Sequence, residues 1–406
     1  MKNSLGRHSL GDKAAIIIAV GAAFICLTMG FRQSFGLYLR PFTDDLEITG
    51  IGVFSLAIGL QNIAWGLASP IFGVLADKRG PVSAAAIGGA LYAAGLFVMA
   101  GAQSGGELIG GQTLVGIGIG GAGFSVILGA VGKVAPPERR SMILAIVTAA
   151  GSFGQFALVP VAQYLLESLG PRDSLYALSA GALLMVALAP LLRLPPDAPT
   201  AAKTNSGGAL TCALNVRSYV LLTLGFFVCG FQVVFIATHL PKYVVDNGVA
   251  ESAAAWALAM VGLFNIFGTL TCGWLGDRYP KKHVLVIFYL ARSAVILLFL
   301  AVPLSEASVV MFGALIGFLW LGTVPLTSGL ISVFFGVRYL SMLYGVTFLM
   351  HQVGSFLGAW LGGWIYASFD NYDVMWTLIV LSGVLAAFLH WPISEQADER
   401  FARSFA

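Results

Sequence analysis

Residues 73–80 read Gly-Val-Leu-Ala-Asp-Lys-Arg-Gly, and residues 273–282 read Gly-Trp-Leu-Gly-Asp-Arg-Tyr-Pro-Lys-Lys. Each stretch ends a long apolar run and places an aspartate, Asp77 or Asp277, directly before a basic residue. Matches at one shared offset indicate that the second half of the chain is a duplicate of the first. The aspartates are 200 positions apart, and the same offset relates Gly30-Phe31 to Gly230-Phe231, Phe35 to Phe235, Ser141-Met142 to Ser341-Met342, and Gly154 to Gly354.

The composition of the chain identifies lipid as its solvent. Of its 406 residues, 58% are hydrophobic and 10% are charged, whereas a soluble domain carries about 25% charged residues. Such a chain has more apolar surface than one globular core can bury, which excludes a cytosolic enzyme, a nucleic-acid binder and a disordered chain. The net charge of +3 is too small to indicate a polyanionic partner.

Twelve runs of the sequence contain no Asp, Glu, Lys or Arg, apart from Arg292 in the ninth run. Each is close to or above the about 20 residues that a helix needs to cross a bilayer, and none alternates like a membrane strand. The sequence therefore predicts an all-α membrane protein with twelve transmembrane helices, here called spans 1 to 12. They cover residues 14–31, 48–76, 80–106, 108–132, 141–166, 174–192, 218–241, 252–276, 283–305, 307–337, 339–369 and 374–394.

The loops predict the domain organisation and the orientation. A polar connection rich in Pro and Gly, residues 193–217, separates an N-terminal six-helix bundle, residues 1–192, from a C-terminal one, residues 218–394. A tail of residues 395–406 follows. With both termini in the cytoplasm, the cytoplasmic segments carry 17 of the 22 Lys and Arg residues and the outer loops carry three. This asymmetry predicts cytoplasmic termini.

The repeat predicts the mode of action. Because each half contributes six spans, the two copies have the same topology and are related by an axis along the membrane normal. That arrangement is typical of transporters whose halves rock against each other.

The two aspartate stretches resemble the G-x-x-x-D-[RK]-x-G loop motif of the major facilitator superfamily, and the resemblance covers essentially the whole chain. It implies a twelve-helix transporter fold. An aspartate at a helix end pairs with nearby cations and holds the two halves together, and this contact breaks and re-forms as access alternates. The motif residues expected to set conformation are Gly73, Asp77, Gly80, Gly273, Asp277 and Arg278.

Three further stretches are similar to the bacterial branch of the monocarboxylate porter family, which includes oxalate:formate antiporters. They are residues 30–41 in span 1, residues 263–269 in span 8 and residues 348–354 in span 11. The resemblance implies a monocarboxylate as substrate. One position departs from the family pattern, because Thr269 stands where these transporters commonly have an arginine that holds the substrate carboxylate.

Arg32 in span 1 is the first candidate for the substrate site. A buried arginine costs about 2.5 to 3.5 kcal/mol on insertion scales, and no acidic residue lies inside any predicted span. A bound carboxylate is the natural complement of its guanidinium group. The alternatives are bonds to backbone carbonyls or an orientation toward the membrane surface. Phe35 lies on the same predicted helix face and would form an aromatic wall.

Arg292 and His351 have two interpretations each. Arg292 lies in span 9, which the resemblance places in the outer scaffold, so a structural role is favoured over a second anion contact. His351 in span 11 is a candidate proton acceptor, because histidine is the side chain that titrates near neutral pH. A hydrogen-bonded histidine in the core is the alternative. Tyr344, His351 and Ser355 share one polar stripe of the predicted helix.

Buried amides and a hydroxyl complete the candidate substrate site. An amide in a membrane helix either binds substrate or joins neighbouring helices by hydrogen bonds, and the sequence leaves both roles open. The candidates are Gln61, Asn62, Gln155, Asn265 and Thr269.

The sequence thus predicts a secondary active transporter of a small organic anion, by proton symport or anion exchange. The alternative is a proton-coupled efflux pump for drugs or apolar metabolites. The four cysteines have neither disulfide nor metal spacing, and no nucleophile, metal cluster or phosphate loop indicates an enzyme or a cofactor. We expect a monomer in a bacterial inner membrane, with lipid, the anion and protons as its partners and no nucleic acid.

Overall fold

The computed structural model describes residues 2–38, 41–42, 51–196 and 206–405. In these ranges the chain forms fifteen α-helices and short 3₁₀ turns, so the predicted all-α fold class is confirmed. The helices are α1 (Lys2–Gln33), α2 (Ile51–Arg79), α3 (Pro81–Gly101), α4 (Gly105–Ala122), α5 (Phe124–Val134), α6 (Arg140–Leu188), α7 (Ser206–Leu214), α8 (Arg217–Asp246), α9 (Glu251–Arg278), α10 (Lys281–Ala301), α11 (Glu306–Phe318), α12 (Thr323–Phe335), α13 (Leu340–Phe369), α14 (Asp373–His390) and α15 (Glu399–Phe405).

Eleven segments of the described ranges are long and apolar enough to cross a membrane. One of them, Pro137–Leu192, has 56 residues, well over twice the length that one crossing requires. Within it Gly170 has φ 81° and ψ 174°, a left-handed conformation that interrupts α6 between predicted spans 5 and 6. The other predicted spans correspond to α1, α2, α3, α4 with α5, α8, α9, α10, α11 with α12, α13 and α14.

Two helices are broken at equivalent positions of the repeat. Span 4 is interrupted at Gly123, between α4 and α5, and span 10 is interrupted over residues 319–322, between α11 and α12. Broken helices expose backbone polar groups inside a membrane protein, so they occur where other side chains satisfy those groups. Interruptions at matching positions of two halves are a pointer to the substrate region of a transporter.

The connections contain helices that the sequence analysis did not predict. The second half of the connection between the bundles forms α7, while residues 197–205 lie outside the described residues. The tail forms α15, whose Phe401 packs on Phe335 with ring centroids 4.6 Å apart. The backbone N–H of Asp398 donates to the carbonyl of Phe334, at the end of α12, over 3.0 Å.

Within each half, a glycine brings the first and the fifth span into close contact. A Cβ atom added at Gly154 would meet the backbone of Cys26, and one added at Gly354 would meet the backbone of Phe227. Small residues let membrane helices approach backbone to backbone, where van der Waals packing holds them. The contact of α6 with α1 thus recurs in the contact of α13 with α8. The contacted residue, Phe227, is one position beyond the equivalent of Cys26 at the 200-residue offset.

Candidate functional site

The two motif aspartates close one end of the bundle, here called the aspartate end. Asp77 at the end of α2 accepts a hydrogen bond from the backbone N–H of Met342, at the start of α13, over 2.8 Å. Its second oxygen accepts one from Lys133 Nζ over 2.7 Å, and both side chains of this ion pair are 1% exposed. Asp77 therefore links the two halves at a helix N-terminus, where negative charge is stabilised.

Asp277 makes the corresponding contact in the second half. It accepts hydrogen bonds from the backbone N–H groups of Ser141, over 2.9 Å, and Met142, over 3.0 Å, at the start of α6. The internal repeat therefore relates the Asp77 and Asp277 contacts to each other. The ion pair is not repeated, because Val333 stands where the first half has Lys133.

The other motif residues shape this aspartate end. A Cβ atom added at Gly73 or Gly273 would lie within 3.0 Å of backbone atoms at the start of the facing helix. Gly80 follows α2 with φ 87°, a conformation that L-residues with a side chain rarely adopt. The Arg278 guanidinium lies over the ring of Trp274, 4.3 Å from its centroid.

The Arg32 side chain extends from α1 to α2 and has few partners among the described residues. Its Nη2 donates to Asn62 Oδ1 over 2.8 Å, and its Cζ lies 5.3 Å from the ring centroid of Trp65. Its Nε is buried and has no hydrogen-bond partner among the described residues. Within the described part of the chain, the guanidinium therefore contacts one neutral amide and one aromatic face, and it is not saturated by peptide oxygens.

Arg292 is bound quite differently. It is fully buried and donates to Gln232 Oε1 over 3.1 Å and to the carbonyls of Leu319 and Trp320, the latter over 2.8 Å. These carbonyls lie at the break between α11 and α12, where the helix cannot satisfy them. Arg292 thus caps a broken membrane helix, which accords with a structural role.

Asn265 and Thr269 are occupied by contacts with the protein. Asn265 Nδ2 donates to Ser152 Oγ over 2.6 Å, which links α9 to α6 of the other half. Its Oδ1 accepts from Thr269 Oγ1, over 3.1 Å, and from the backbone N–H of Leu321, over 3.0 Å. At the break between α11 and α12, Arg292 therefore donates to backbone carbonyls and Asn265 accepts from a backbone N–H group.

His351 lies on α13 with one unpaired nitrogen. Its Nδ1 lies 3.4 Å from Ser355 Oγ, and Ser355 also donates to the His351 carbonyl over 2.9 Å. The Nε2 of His351 and the hydroxyl of Tyr344 are buried without a hydrogen-bond partner in the described ranges. Polar atoms left unpaired in a membrane interior cost free energy, so they indicate positions that a ligand or water satisfies.

Aromatic rings join Arg32 to His351 across the two halves. Trp65, under Arg32, has its ring centroid 4.8 Å from that of Phe348. The rings of Phe348 and His351 are stacked, with centroids 5.2 Å apart and planes 9° apart. Phe124 and Phe226 extend this group, which we call the aromatic cluster and define as Trp65, Phe124, Phe226, Tyr344, Phe348 and His351.

Most of the aromatic cluster was not predicted from the sequence. An aromatic residue in an apolar span looks like ordinary packing, so only its position on a helix face distinguishes it. Trp65 follows Gln61 by four positions and shares its face, which is the signal that was available. Gln352, next to His351, was also missed; its side chain would contact a Cβ atom at Gly66, and its Nε2 is buried and unpaired.

The remaining candidates lie apart from the cluster or carry no polar contact. Phe35 is buried in the 3₁₀ turn Ser34–Tyr38, without a ring contact to the aromatic cluster. Gln61 is buried with an unpaired Nε2. Gln155 is half-buried and makes no hydrogen bond to the described residues.

These features define a class of protein. An all-helical membrane protein with two duplicated halves, interlocked at one end by equivalent aspartates and with unpaired polar groups between the halves, is a membrane transporter. In a comparison with known families, the family model described as Major Facilitator Superfamily matches residues 14–249 and 222–405. The chain therefore belongs to that superfamily.

Relatives from animals and bacteria support the same assignment. The chain is 27% identical over 380 residues to monocarboxylate transporter 13 of Rattus norvegicus, covering 90% of this chain and 86% of the relative. It is 22% identical over 399 residues to the oxalate:formate antiporter of Oxalobacter formigenes, covering 95% and 92%. Members of the family and these relatives are transporters, and this chain is a transporter and not an enzyme.

Solved structures share the fold. The proton:xylose symporter XylE superposes with a TM-score of 0.74 at 14% identity and covers 98% of this chain and 100% of that one. The human organic anion transporter MFSD10 superposes with a TM-score of 0.72 at 14% identity and covers 93% and 99%. At this identity the likeness establishes the fold alone.

Proposed function

We propose that this protein is a secondary active transporter of a small organic monocarboxylate. The observation that carries the proposal is the state of Arg32, a half-buried cation whose one side-chain hydrogen-bond partner among the described residues is the neutral Asn62. A carboxylate supplies the missing counter-charge and forms charge-assisted hydrogen bonds with the guanidinium. The names of the monocarboxylate and oxalate:formate relatives support the same substrate class.

The proposed topology has twelve spans with both termini in the cytoplasm of a bacterial cell, in its inner membrane. The non-helical Gly170 supports twelve, because it divides the 56-residue segment into two crossings. The charge asymmetry of the loops makes the aspartate end cytoplasmic. Residues 1–192 and 218–394 are then the two moving bundles of a monomer.

Transport then proceeds by alternating access. With the aspartate end closed by Asp77 and Asp277, the substrate region is sealed from the cytoplasm. The anion reaches Arg32 from the outer side and neutralises this half-buried cation. The hydrogen bonds of the two aspartates break as the bundles rock, and the anion leaves through the opened end.

The candidate residues divide into two groups in this scheme. Arg32 binds the carboxylate and Asn62 orients the guanidinium, while the unpaired amide of Gln61 and the half-buried Gln155 complete the polar lining. Asn265, Thr269 and Ser355 are engaged with the protein and shape the surrounding helices. Thr269 therefore does not replace the arginine that related porters have at this position.

The coupling ion follows from what the spans contain. Once the 56-residue segment is divided at Gly170, no Asp or Glu lies in the apolar middle of a described span, so no carboxylate carries a proton there. His351 has an unpaired Nε2 and lies in the aromatic cluster, and we propose it as the proton acceptor of coupled transport. Exchange of one anion for another needs no such group. The variant His351→Gln distinguishes proton coupling from anion exchange. Loss of pH-driven uptake with retained exchange supports His351 as the proton acceptor, and an unchanged pH profile contradicts that role.

Uptake of labelled monocarboxylates into proteoliposomes tests the proposal directly. Arg32→Gln should raise the KM by roughly thirtyfold or more, because truncating one partner of a buried charge pair costs about 2 to 5 kcal/mol. Lys242→Gln is the matched control, since Lys242 is an exposed cation paired with Asp246. Unchanged uptake by Arg32→Gln, with the protein inserted normally, would remove Arg32 from the substrate site.

A further inference from the structure

We propose that the preferred cargo is an aromatic monocarboxylate, whose ring lies in the aromatic cluster while its carboxylate binds Arg32. This inference rests on the proposed function, because it uses Arg32 as the anion site. The charge of Arg32 selects a carboxylate but does not select the rest of the transported anion. The aromatic cluster indicates what that rest is.

The position of Trp65 connects the charge to the rings. The Arg32 guanidinium lies over the Trp65 ring at 5.3 Å, and the centroid of the same ring lies 4.8 Å from that of Phe348. A carboxylate bound to Arg32 is therefore at the edge of an aromatic surface. The body of the anion extends from the guanidinium toward that surface, where an apolar planar group is stabilised and a hydrated one is not.

The cluster is divided between the two halves. Trp65 and Phe124 belong to the first half, whereas Phe226, Phe348 and His351 belong to the second. A ring that enters between Trp65 and Phe348 replaces one contact between the halves by two contacts with the cargo. Because a stacked ring needs about 3.5 Å on each side, the halves must separate by about one ring thickness. Binding of a flat cargo is thereby tied to the rigid-body motion of the bundles.

Unpaired polar atoms lie in the aromatic cluster and beside it. Tyr344, His351 and Gln352 each have a buried polar atom without a partner among the described residues. These atoms would accept or donate a hydrogen bond to a hydroxyl or carbonyl group on the distal edge of the ring. A hydroxylated aromatic acid satisfies both the cation and these atoms, and an unsubstituted aliphatic acid satisfies only the cation.

The site serves a single negative charge. Arg292, a fully buried arginine of the described spans, donates to Gln232 and to two backbone carbonyls at the break between α11 and α12. A second carboxylate would have to displace these hydrogen bonds. Dicarboxylates are therefore poorer substrates than monocarboxylates of similar size.

A competition experiment in proteoliposomes tests the inference. Uptake of one labelled monocarboxylate is measured against unlabelled acetate, lactate, pyruvate, oxalate, benzoate and 4-hydroxybenzoate. We expect benzoate and 4-hydroxybenzoate to inhibit at concentrations about tenfold lower than acetate, and oxalate to inhibit least. Thermal unfolding of the wild-type protein with each acid provides a binding readout that needs no variant, and the aromatic acids should raise the Tm most.

Variants of the cluster locate the effect. Trp65→Leu and Phe348→Leu should lower the ratio of benzoate to acetate affinity by about three- to tenfold, because the ring of benzoate loses its stacking partners. Phe97→Leu is the control, because Phe97 is an exposed ring that contacts Tyr176 outside the cluster. Trp65→Phe should restore part of the preference by keeping a ring at this position.

The outcomes separate the two proposals. Transport of aliphatic acids without any preference for aromatic ones overturns this inference and leaves the proposed function standing. A preference that survives Trp65→Leu and Phe348→Leu in folded protein also overturns it. If no carboxylate is transported or stabilises the protein, both proposals fail together.

Discussion

The Asp77 carboxylate and the Met342 backbone N–H, 265 positions apart in sequence, form a hydrogen bond of 2.8 Å between the two halves of the protein. Asp77 also holds the buried ammonium group of Lys133, which belongs to its own half. One side chain therefore compensates a buried cation and fastens the halves together. This double role gives its substitution two distinct consequences, one for stability and one for conformation.

Substitution of Asp77 should destabilise the protein more than substitution of Asp277. Asp77→Asn leaves Lys133 as an unpaired buried charge, and breaking such a pair costs about 3 to 5 kcal/mol. Asp277→Asn loses only charge-assisted bonds to the backbone N–H groups of Ser141 and Met142, about 1.5 to 3 kcal/mol. Thermal unfolding in detergent should show the larger decrease for Asp77→Asn.

A second substitution isolates the ion pair. The double variant Asp77→Asn with Lys133→Met removes both charges and should recover much of the stability lost in Asp77→Asn, since an apolar replacement of a buried pair is often neutral. Equal destabilisation by the single and the double variant would show that the backbone contact to Met342, and not the charge of Lys133, dominates.

The close contact between Gly73 and the start of α13 should control access at the aspartate end. A Cβ atom there would lie 2.7 Å from the Cα of Met342, and backbone atoms cannot move aside without displacing α13. Gly73→Val should therefore favour the conformation that is open at this end. In the Gly73→Val protein, a cysteine introduced by Ser341→Cys should react faster with a membrane-impermeant thiol reagent. The reagent is applied to inverted vesicles, whose outer face is the cytoplasmic side of the protein.

Gly59→Val is the matched control, because nothing lies within 4 Å of a Cβ atom at Gly59 in the same helix. Labelling at residue 341 should be unchanged in that variant. Equal labelling rates in Gly73→Val and in the parent would contradict the assignment of this contact as a barrier.

Arg292 should be required for stability, in contrast to Arg32. Arg292→Gln leaves the carbonyls of Leu319 and Trp320 without their donor, at about 1 to 3 kcal/mol for each buried unpaired group. Arg32→Gln removes one hydrogen bond to the described residues, the bond to Asn62, and should leave the thermal midpoint nearly unchanged. Thermal unfolding of both variants checks this difference, and a normal midpoint for Arg292→Gln with abolished transport would instead indicate an anion contact.

The sequence was sufficient for the fold because hydrophobic run length and the 200-residue offset are global properties. It was less informative about the site, where partners decide the role of a side chain. Asn265 and Gln61 are alike as buried amides in apolar spans, yet Asn265 is bonded to Ser152 and Leu321 and Gln61 has an unpaired nitrogen. The aromatic cluster was missed for the same reason, since the contact of Trp65 with Phe348 joins residues 283 positions apart.

The docked tail should stabilise the aspartate end. Phe401 is buried against Phe335 and Tyr339, and Arg338 donates to the carbonyl of Phe405 over 3.0 Å. Tyr339 directly precedes α13, the helix whose N-terminus binds Asp77, so the tail supports the segment on which the interlock depends.

Phe401→Ala should therefore lower the free energy of unfolding by about 3 kcal/mol or more, the usual cost of truncating a buried phenylalanine. It should also raise the labelling rate of a cysteine at Ser341, because the start of α13 loses its support. Arg403→Ala is the control, since that side chain is 80% exposed and its pair with Glu399 contributes little. A tail that could be truncated without a change in stability or in labelling would show that α15 is only a passive extension of the chain.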